Sequence, residues 1–203
     1  MAAMHAGVPG SSSRASARAA LRRRTASVHE ALHSATPFAA IAAGRATFEN
    51  YGQLLLALQR YHHGMTHAVE VGCRRLDLGA LQLACEQRRA RLADDLATIG
   101  RATDLRSYSP VAVQDEAWAI GCLYTLVGST IGGKVIDRQL DELFPTAAAG
   151  RSFFAGSADD GAQWRGFCDR LEAFGAEQES LTALVEGGQF AFEYFATCLK
   201  GQS

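Results

Sequence analysis

Proline is scarce in this 203-residue chain: there are four, and none lies between Pro37 and Pro110. That interval has no helix breaker, and Ala, Leu, Arg, Glu and Gln dominate it, the residues that form helices best. Cysteine is limited to Cys73, Cys85, Cys122, Cys168 and Cys198. The number is odd and no C-x-x-C pair occurs, which excludes a disulfide framework and a zinc ribbon. The five read as reduced thiols filling a core. Charge of one sign is lacking too: 20 Lys and Arg stand against 21 Asp and Glu, a formal net charge of −1. No bulk charge attracts nucleic acid. No unbroken apolar run approaches the roughly 20 residues of a membrane span. Met1–Ser13 lacks the apolar h-region of a secretory signal. The expected address is the cytoplasm, with neither nucleic acid nor membrane as partner. Strand-like alternation of Val, Ile and Thr is absent as well.

What is present is apolar surface, 48% of residues, enough to build one sizeable core. A first helix is expected over about Ser16–Ser34, ended by Ala-Thr-Pro-Phe at 35–38 because the residue before proline is pushed out of the α region. A second follows Thr47, with Phe48, Tyr51, Leu54, Leu55 and Leu58 on one face, and continues to about Arg75. A third covers roughly Ala80–Ile99. Pro110 marks a helix start, and a long fourth helix runs from Gln114 to about Leu143, closed by Pro145. A short piece at Arg151–Phe154 and a Gly/Asp loop at 156–161 precede helices near Trp164–Phe174 and Glu177–Leu199. The expected fold class is all-α: a single-domain multihelical bundle over residues 16–203, after a disordered N-terminal tail at 1–15.

The long fourth helix carries Gly128, Gly132 and Gly133. Each mid-helix glycine costs roughly 0.5–1 kcal/mol relative to alanine, so three together need a compensating use. Gly128 and Gly132 share a face. Close packing against a neighbouring helix is one use; a flat ligand lying across a bent helix is the other. A phosphate loop does not fit, because no strand precedes and Lys134 is out of frame.

All six histidines fall in the first 67 residues. His29 and His33 share a helical face, as do His63 and His67, and an i,i+4 pair can chelate a metal. No Glu-x-x-His set accompanies them, which argues against a ferritin-like di-iron site. Arg14, Arg18 and Arg22 recur every four residues, and His29 follows Arg22 by about two turns, roughly 10 Å. One side of the first helix thus presents a cationic run and then an imidazole. That layout suits a ligand with anionic groups at one edge and iron at its centre; a solvated basic face is the alternative.

Two segments together resemble the heme oxygenase family. Leu21-Arg-Arg-Arg-Thr-Ala-Ser-Val-His-Glu-Ala-Leu-His33 is similar to the family's opening helix, whose Thr, three residues and then His supply the proximal iron ligand. That maps the ligand to His29. Gly128-Ser-Thr-Ile-Gly-Gly133 is similar to the glycine-rich kink of the distal helix. The segment Ala46–Tyr61 also resembles the family's second helix. Leu-Tyr-x-Leu-x-Gly-Ser-Thr-x-Gly-Gly looks most like the bacterial branch found beside phytochromes.

The resemblance implies that heme is both substrate and cofactor, ligated by neutral His29. Gly128, Gly132 and Gly133 would leave room for O2, with Ser129 beside them. Electrons would come from a ferredoxin or reductase. The products would be biliverdin, CO and ferrous iron, with a phytochrome as bilin acceptor. Arg22 and then Arg18 are the residues expected at the heme propionates; Tyr124, one turn before Gly128, is expected at the heme edge, with core packing the alternative, and Phe192 and Phe195 are expected to wall the pocket. Two positions depart from the family pattern. Ser129 stands where many members have an Asp that organises a proton-delivering water network. His33 stands where some have a carboxylate one turn after the ligand. The competing readings are a heme carrier or sensor without turnover, kept alive by Ser129, and a thiaminase-type hydrolase, for which Cys122 would be the nucleophile.

Overall fold

Helix boundaries in the computed structural model, which describes residues 16–102, 105, 108–144, 149–176 and 178–201, follow local capping chemistry. Nine helices occur among the described residues, with no strand: α1 (Ala17–His33), α2 (Thr36–Ala42), α3 (Phe48–Gly64), α4 (Thr66–Leu76), α5 (Gly79–Thr98), α6 (Glu116–Gln139), α7 (Ser152–Ala155), α8 (Asp160–Phe174) and α9 (Gln178–Leu199). The all-α class expected from the sequence is the observed one. The N-terminal tail assigned to 1–15, and Pro145, lie outside the described residues.

The Ser16 side chain accepts from the Ala19 amide and starts α1. Thr47 and Asn50 form a reciprocal capping box at α3. Asp115 accepts from the Trp118 amide at 2.7 Å and starts α6 close to the expected Gln114, while the helix ends at Gln139 and not near Leu143. α1 is anchored from outside: the Glu172 carboxylate of α8 accepts from Ser16 Oγ at 2.6 Å and from the amides of Ala17 and Arg18 at 3.0 and 3.1 Å. A carboxylate there satisfies amides with no helical partner and complements the helix dipole.

Three boundaries differ from the sequence reading. α2 was not expected; it starts at Thr36 with Pro37 in its first turn, where the missing N–H costs nothing. The helix expected from Thr47 to Arg75 breaks at Met65. There the Val111 amide donates to the Gly64 carbonyl at 2.9 Å, and Gly64 lies against the Tyr194 side chain. His63 and His67 therefore sit on different helices, and His63 Nε2 instead lies 2.8 Å from the Tyr108 carbonyl oxygen. The Gly/Asp loop placed at 156–161 is shorter, since α8 begins at Asp160.

α6 runs through the centre, packed on α4, α8 and above all α9. Among the described residues it alone has the length and apolar content to cross a membrane, although it contains no unbroken apolar run; half of its most apolar stretch is buried in the fold. Its buried residues fall between Ala117 and Val127, with Gly133 alone beyond them, and Trp118 is among the largest fully buried side chains. Its C-terminal half then emerges from the core. α6 and α9 approach closely because both lack side chains at their crossing. A Cβ on Gly121 would collide with the Leu184 carbonyl oxygen, and one on Gly187 with the Trp118 carbonyl oxygen. Gly188 serves a third helix: its carbonyl accepts from Thr125 Oγ1 at 3.1 Å, while Leu21 and Thr25 of α1 pack over its α-carbon. All five cysteines are buried and free.

Candidate active site

α1 and α6 both pack on α9, and Gly188 of α9 meets both, Leu21 and Thr25 of α1 on one side and Thr125 of α6 on the other. Advancing one turn past that junction along each helix reaches His29 on α1, Ser129 on α6 and Phe192 on α9. The His29 and Phe192 rings meet edge to face, centroids 5.6 Å apart.

At about 100° per residue, Arg18, Arg22, His29 and His33 fall within an arc of about 60° beside the buried stripe of Leu21, Thr25 and Leu32. All four are exposed. On α6 the same reckoning puts Tyr124, Gly128, Ile131, Gly132 and Val135 on one stripe. Ile131 and Val135 are 47% and 54% exposed, two of only four large apolar side chains so exposed among the described residues. A Cβ on Gly132 would meet nothing within 4 Å. One on Gly128 would meet only the rim of Trp164, at 3.4 Å, an ordinary contact. Close helix packing therefore does not account for Gly128 and Gly132. Gly133 differs: it is buried against the Phe154 carbonyl. The helix is α-helical throughout the glycine cluster.

Trp164 of α8 joins the two sides at one edge. The Arg18 guanidinium lies 5.7 Å from its ring centroid, and the Tyr124 ring lies 5.6 Å from it. Burial pushes the Tyr124 hydroxyl up, while the nearby Arg18 and Arg22 charges pull it down. The structure thus brings Arg18, Arg22 and Tyr124 together as a cationic, hydroxyl-bearing edge.

His29 itself is held toward its neutral form. Desolvation lowers its pKa from 6.5, the His33 charge lowers it further, and Glu30 acts in the opposite sense. Its Nε2 stands 3.3 Å from His33 Nε2. Ser129 and Thr130 turn their hydroxyls onto their own helix, donating to the carbonyls of Leu126 and Val127, both at 2.7 Å. Ser129 Oγ keeps lone pairs for water but brings no acid to the site.

Three side chains that the sequence did not single out have distinctive surroundings. Trp164 is one of two tryptophans, yet nothing in its own segment reports that it reaches α1 and α6. His62 is buried, and its pKa is well below 6.5 through desolvation and the charges of Arg88 and Arg89. Its Nε2 has no hydrogen-bond partner. It lines a cavity of about 20 Å3 beneath Leu126 of α6, room for about one water molecule. Arg88, 4% exposed, lies with its guanidinium 4.1 Å from the Phe153 ring centroid, and burial pushes its pKa down to about 10. Cys122, by contrast, is removed from chemistry. Its thiol is buried and pushed up, and it donates to the Gly187 carbonyl at 3.2 Å. The hydrolase alternative has no nucleophile at that position.

Residues 15–201 match the family profile described as heme oxygenase. The chain belongs to the heme oxygenase family. A heme oxygenase of Xanthomonas campestris pv. campestris is 31% identical over 117 residues, covering 58% of this chain and 70% of that protein. Solved structures share the fold. A Neisseria meningitidis heme oxygenase, determined with NO and CO bound, superposes with a TM-score of 0.71 at 21% identity, over 92% of this chain and 91% of that one. The Leptospira interrogans heme oxygenase gives 0.74 at 16% identity, over 93% and 100%. A Synechocystis heme oxygenase in complex with heme gives 0.72 at 15%, over 92% of each chain.

Proposed function

We propose that this chain binds heme between α1 and α6 and opens the ring with O2 and an external reductant to give biliverdin, CO and ferrous iron. The observation that carries the proposal is the open stripe of Gly128, Ile131, Gly132 and Val135. It is apolar, exposed and without Cβ atoms at its middle, which suits a flat hydrophobic ligand in van der Waals contact with backbone. A second property supports it: an imidazole biased toward its neutral form, with a lone pair to give to iron.

Arg18, Arg22 and Tyr124 hold the heme carboxylates at the Trp164 edge, by charge-assisted contact that fixes the in-plane orientation. His29 ligates the iron, and Phe192 limits the swing of its ring. Gly132 keeps side-chain bulk off the opposite face, and Gly128 does so beside Trp164. Ser129 Oγ and the backbone there accept hydrogen bonds from water and so hold a proton source near that face; no carboxylate supplies one from this helix position. Bound heme supplies the oxygen activation and is itself what is cleaved, so the protein's part is positioning and exclusion. A ferredoxin or reductase serves as electron donor in the cytoplasm, and a phytochrome is one acceptor for the bilin.

A non-catalytic heme carrier is the second reading, favoured by the Ser129 hydroxyl being spent on Leu126. One experiment separates them. Purified protein with one equivalent of hemin is reduced with ascorbate or a ferredoxin system in air. Loss of the Soret band, growth of a broad red bilin band and release of CO are expected. A Soret band that survives the reductant would establish the carrier instead.

A further inference from the structure

His29 and His33 bring their Nε2 atoms within hydrogen-bonding distance of each other, which heme binding does not require. They stand four residues apart on α1, their rings are inclined at 75° with centroids 4.5 Å apart, and their Nε2 atoms are 3.3 Å apart. Both are exposed, and neither ring makes another hydrogen bond among the described residues. Two imidazole nitrogens at about 2.0–2.1 Å from one tetrahedral ion lie about 3.3–3.4 Å from each other. The observed separation is therefore the bite of such an ion. The segment reads His29-Glu30-Ala31-Leu32-His33, the spacing at which two histidines on one helical face bind zinc.

We propose that His29 and His33 form a two-imidazole clamp for a divalent transition ion such as zinc, nickel or copper. The clamp sits at the mouth of the heme cleft, and a metal held there competes with heme for His29. No group of three or more metal-ligating side chains occurs among the described residues, so water completes the coordination. This is an open, exchangeable site and not a closed structural one. Copper(II) binds it most tightly, following the general order of divalent affinities. Competition follows because His29 Nε2 has a single lone pair: it serves a heme iron or the clamped ion, not both. The metal site stands on geometry alone; the competition rests on the heme reading above.

The test starts with heme-free protein, titrated with CuCl2 and ZnCl2 by calorimetry, and with electron paramagnetic resonance of the copper form. The wild type should take up one ion through two imidazole nitrogens. His29→Ala and His33→Ala should each weaken that site at least tenfold and leave one nitrogen in the copper spectrum. His67→Ala, exposed on α4, should leave it unchanged. A His33→Ala variant that binds as tightly as wild type overturns the clamp. Hemin titrations with and without saturating zinc then read the competition within each protein. Zinc should raise the half-saturating hemin concentration of the wild type at least fivefold and that of His33→Ala less than twofold. A wild-type hemin titration insensitive to bound zinc overturns the competition.

Discussion

Two parts of one stripe on α6, separated by eleven residues, use glycine for opposite ends. At Gly121 the missing Cβ lets α9 lie against the helix backbone, and at Gly132 it leaves open space. The first is a packing glycine; the second has no packing role. Sequence spacing cannot tell them apart, because each is simply a helix position without a side chain. What separates them is whether another helix crosses there. The packing glycines also join three helices at one point. Gly121, Gly187 and Gly188 pull α6 and α9 into contact at one end, and α1 rides on α9 through Leu21 and Thr25. Past that joint along the two helices come His29 on α1 and Gly132 on α6, the first exposed and the second with open space around it.

The largest effect that would sharpen this contrast is on stability. Gly121→Ala forces a methyl into the Leu184 backbone, which cannot move as a flexible side chain can. It should destabilise by about 3 kcal/mol or more, the upper end for overpacking. Urea denaturation measures this. Gly132→Ala, with open space around it, should leave the unfolding free energy equal or raise it by up to about 1 kcal/mol through helix propensity. Equal losses for the two variants would break the comparison.

Next comes ligand binding. Gly132→Leu should fold like the wild type by thermal unfolding while weakening hemin binding at least tenfold, about 1.4 kcal/mol. At the Trp164 edge, Arg18→Ala and Arg22→Ala should each weaken hemin binding several-fold, and hemin esterified at its propionates should be insensitive to both. The smallest effect concerns pH. The folded-state pKa of buried His62 lies well below its unfolded value near 6.5. Below pH 6.5 the unfolded chain takes up a proton that the folded chain refuses, so stability is full above pH 6.5 and falls as pH drops. One such group contributes at most about 1.4 kcal/mol per pH unit. His62→Gln should remove that share of the slope between pH 6.5 and 5, with His29 contributing in the same direction.

Much of this was readable before any coordinates. The long interval without proline, the helix-forming composition and the missing strand pattern led to the all-α class and to most helix positions. His29, Arg18, Arg22, Tyr124 and the α6 glycines were picked out by spacing and resemblance, and the structure brings Arg18, Arg22 and Tyr124 to one edge. The remainder depended on tertiary contacts. The break at Met65 needs Val111 to take the Gly64 carbonyl from 47 residues away. α2 was hidden because Pro37 reads as a stop although it also opens a helix. Trp164 and His62 gained their places from helices far off in sequence. Gly121 looked like an ordinary helix residue until α9 lay across it.

The central claim is that His29 holds heme iron opposite the bare face of α6. It is tested most directly by the absorption and electron paramagnetic resonance spectra of the ferric heme complex in wild type and His29→Ala, followed by reductant in air. The account predicts that the variant loses the histidine-ligated signature and the conversion to bilin, and that added imidazole restores the signature. A His29→Ala protein that keeps a histidine-ligated heme and degrades it at the wild-type rate would contradict the account and move the ligand elsewhere.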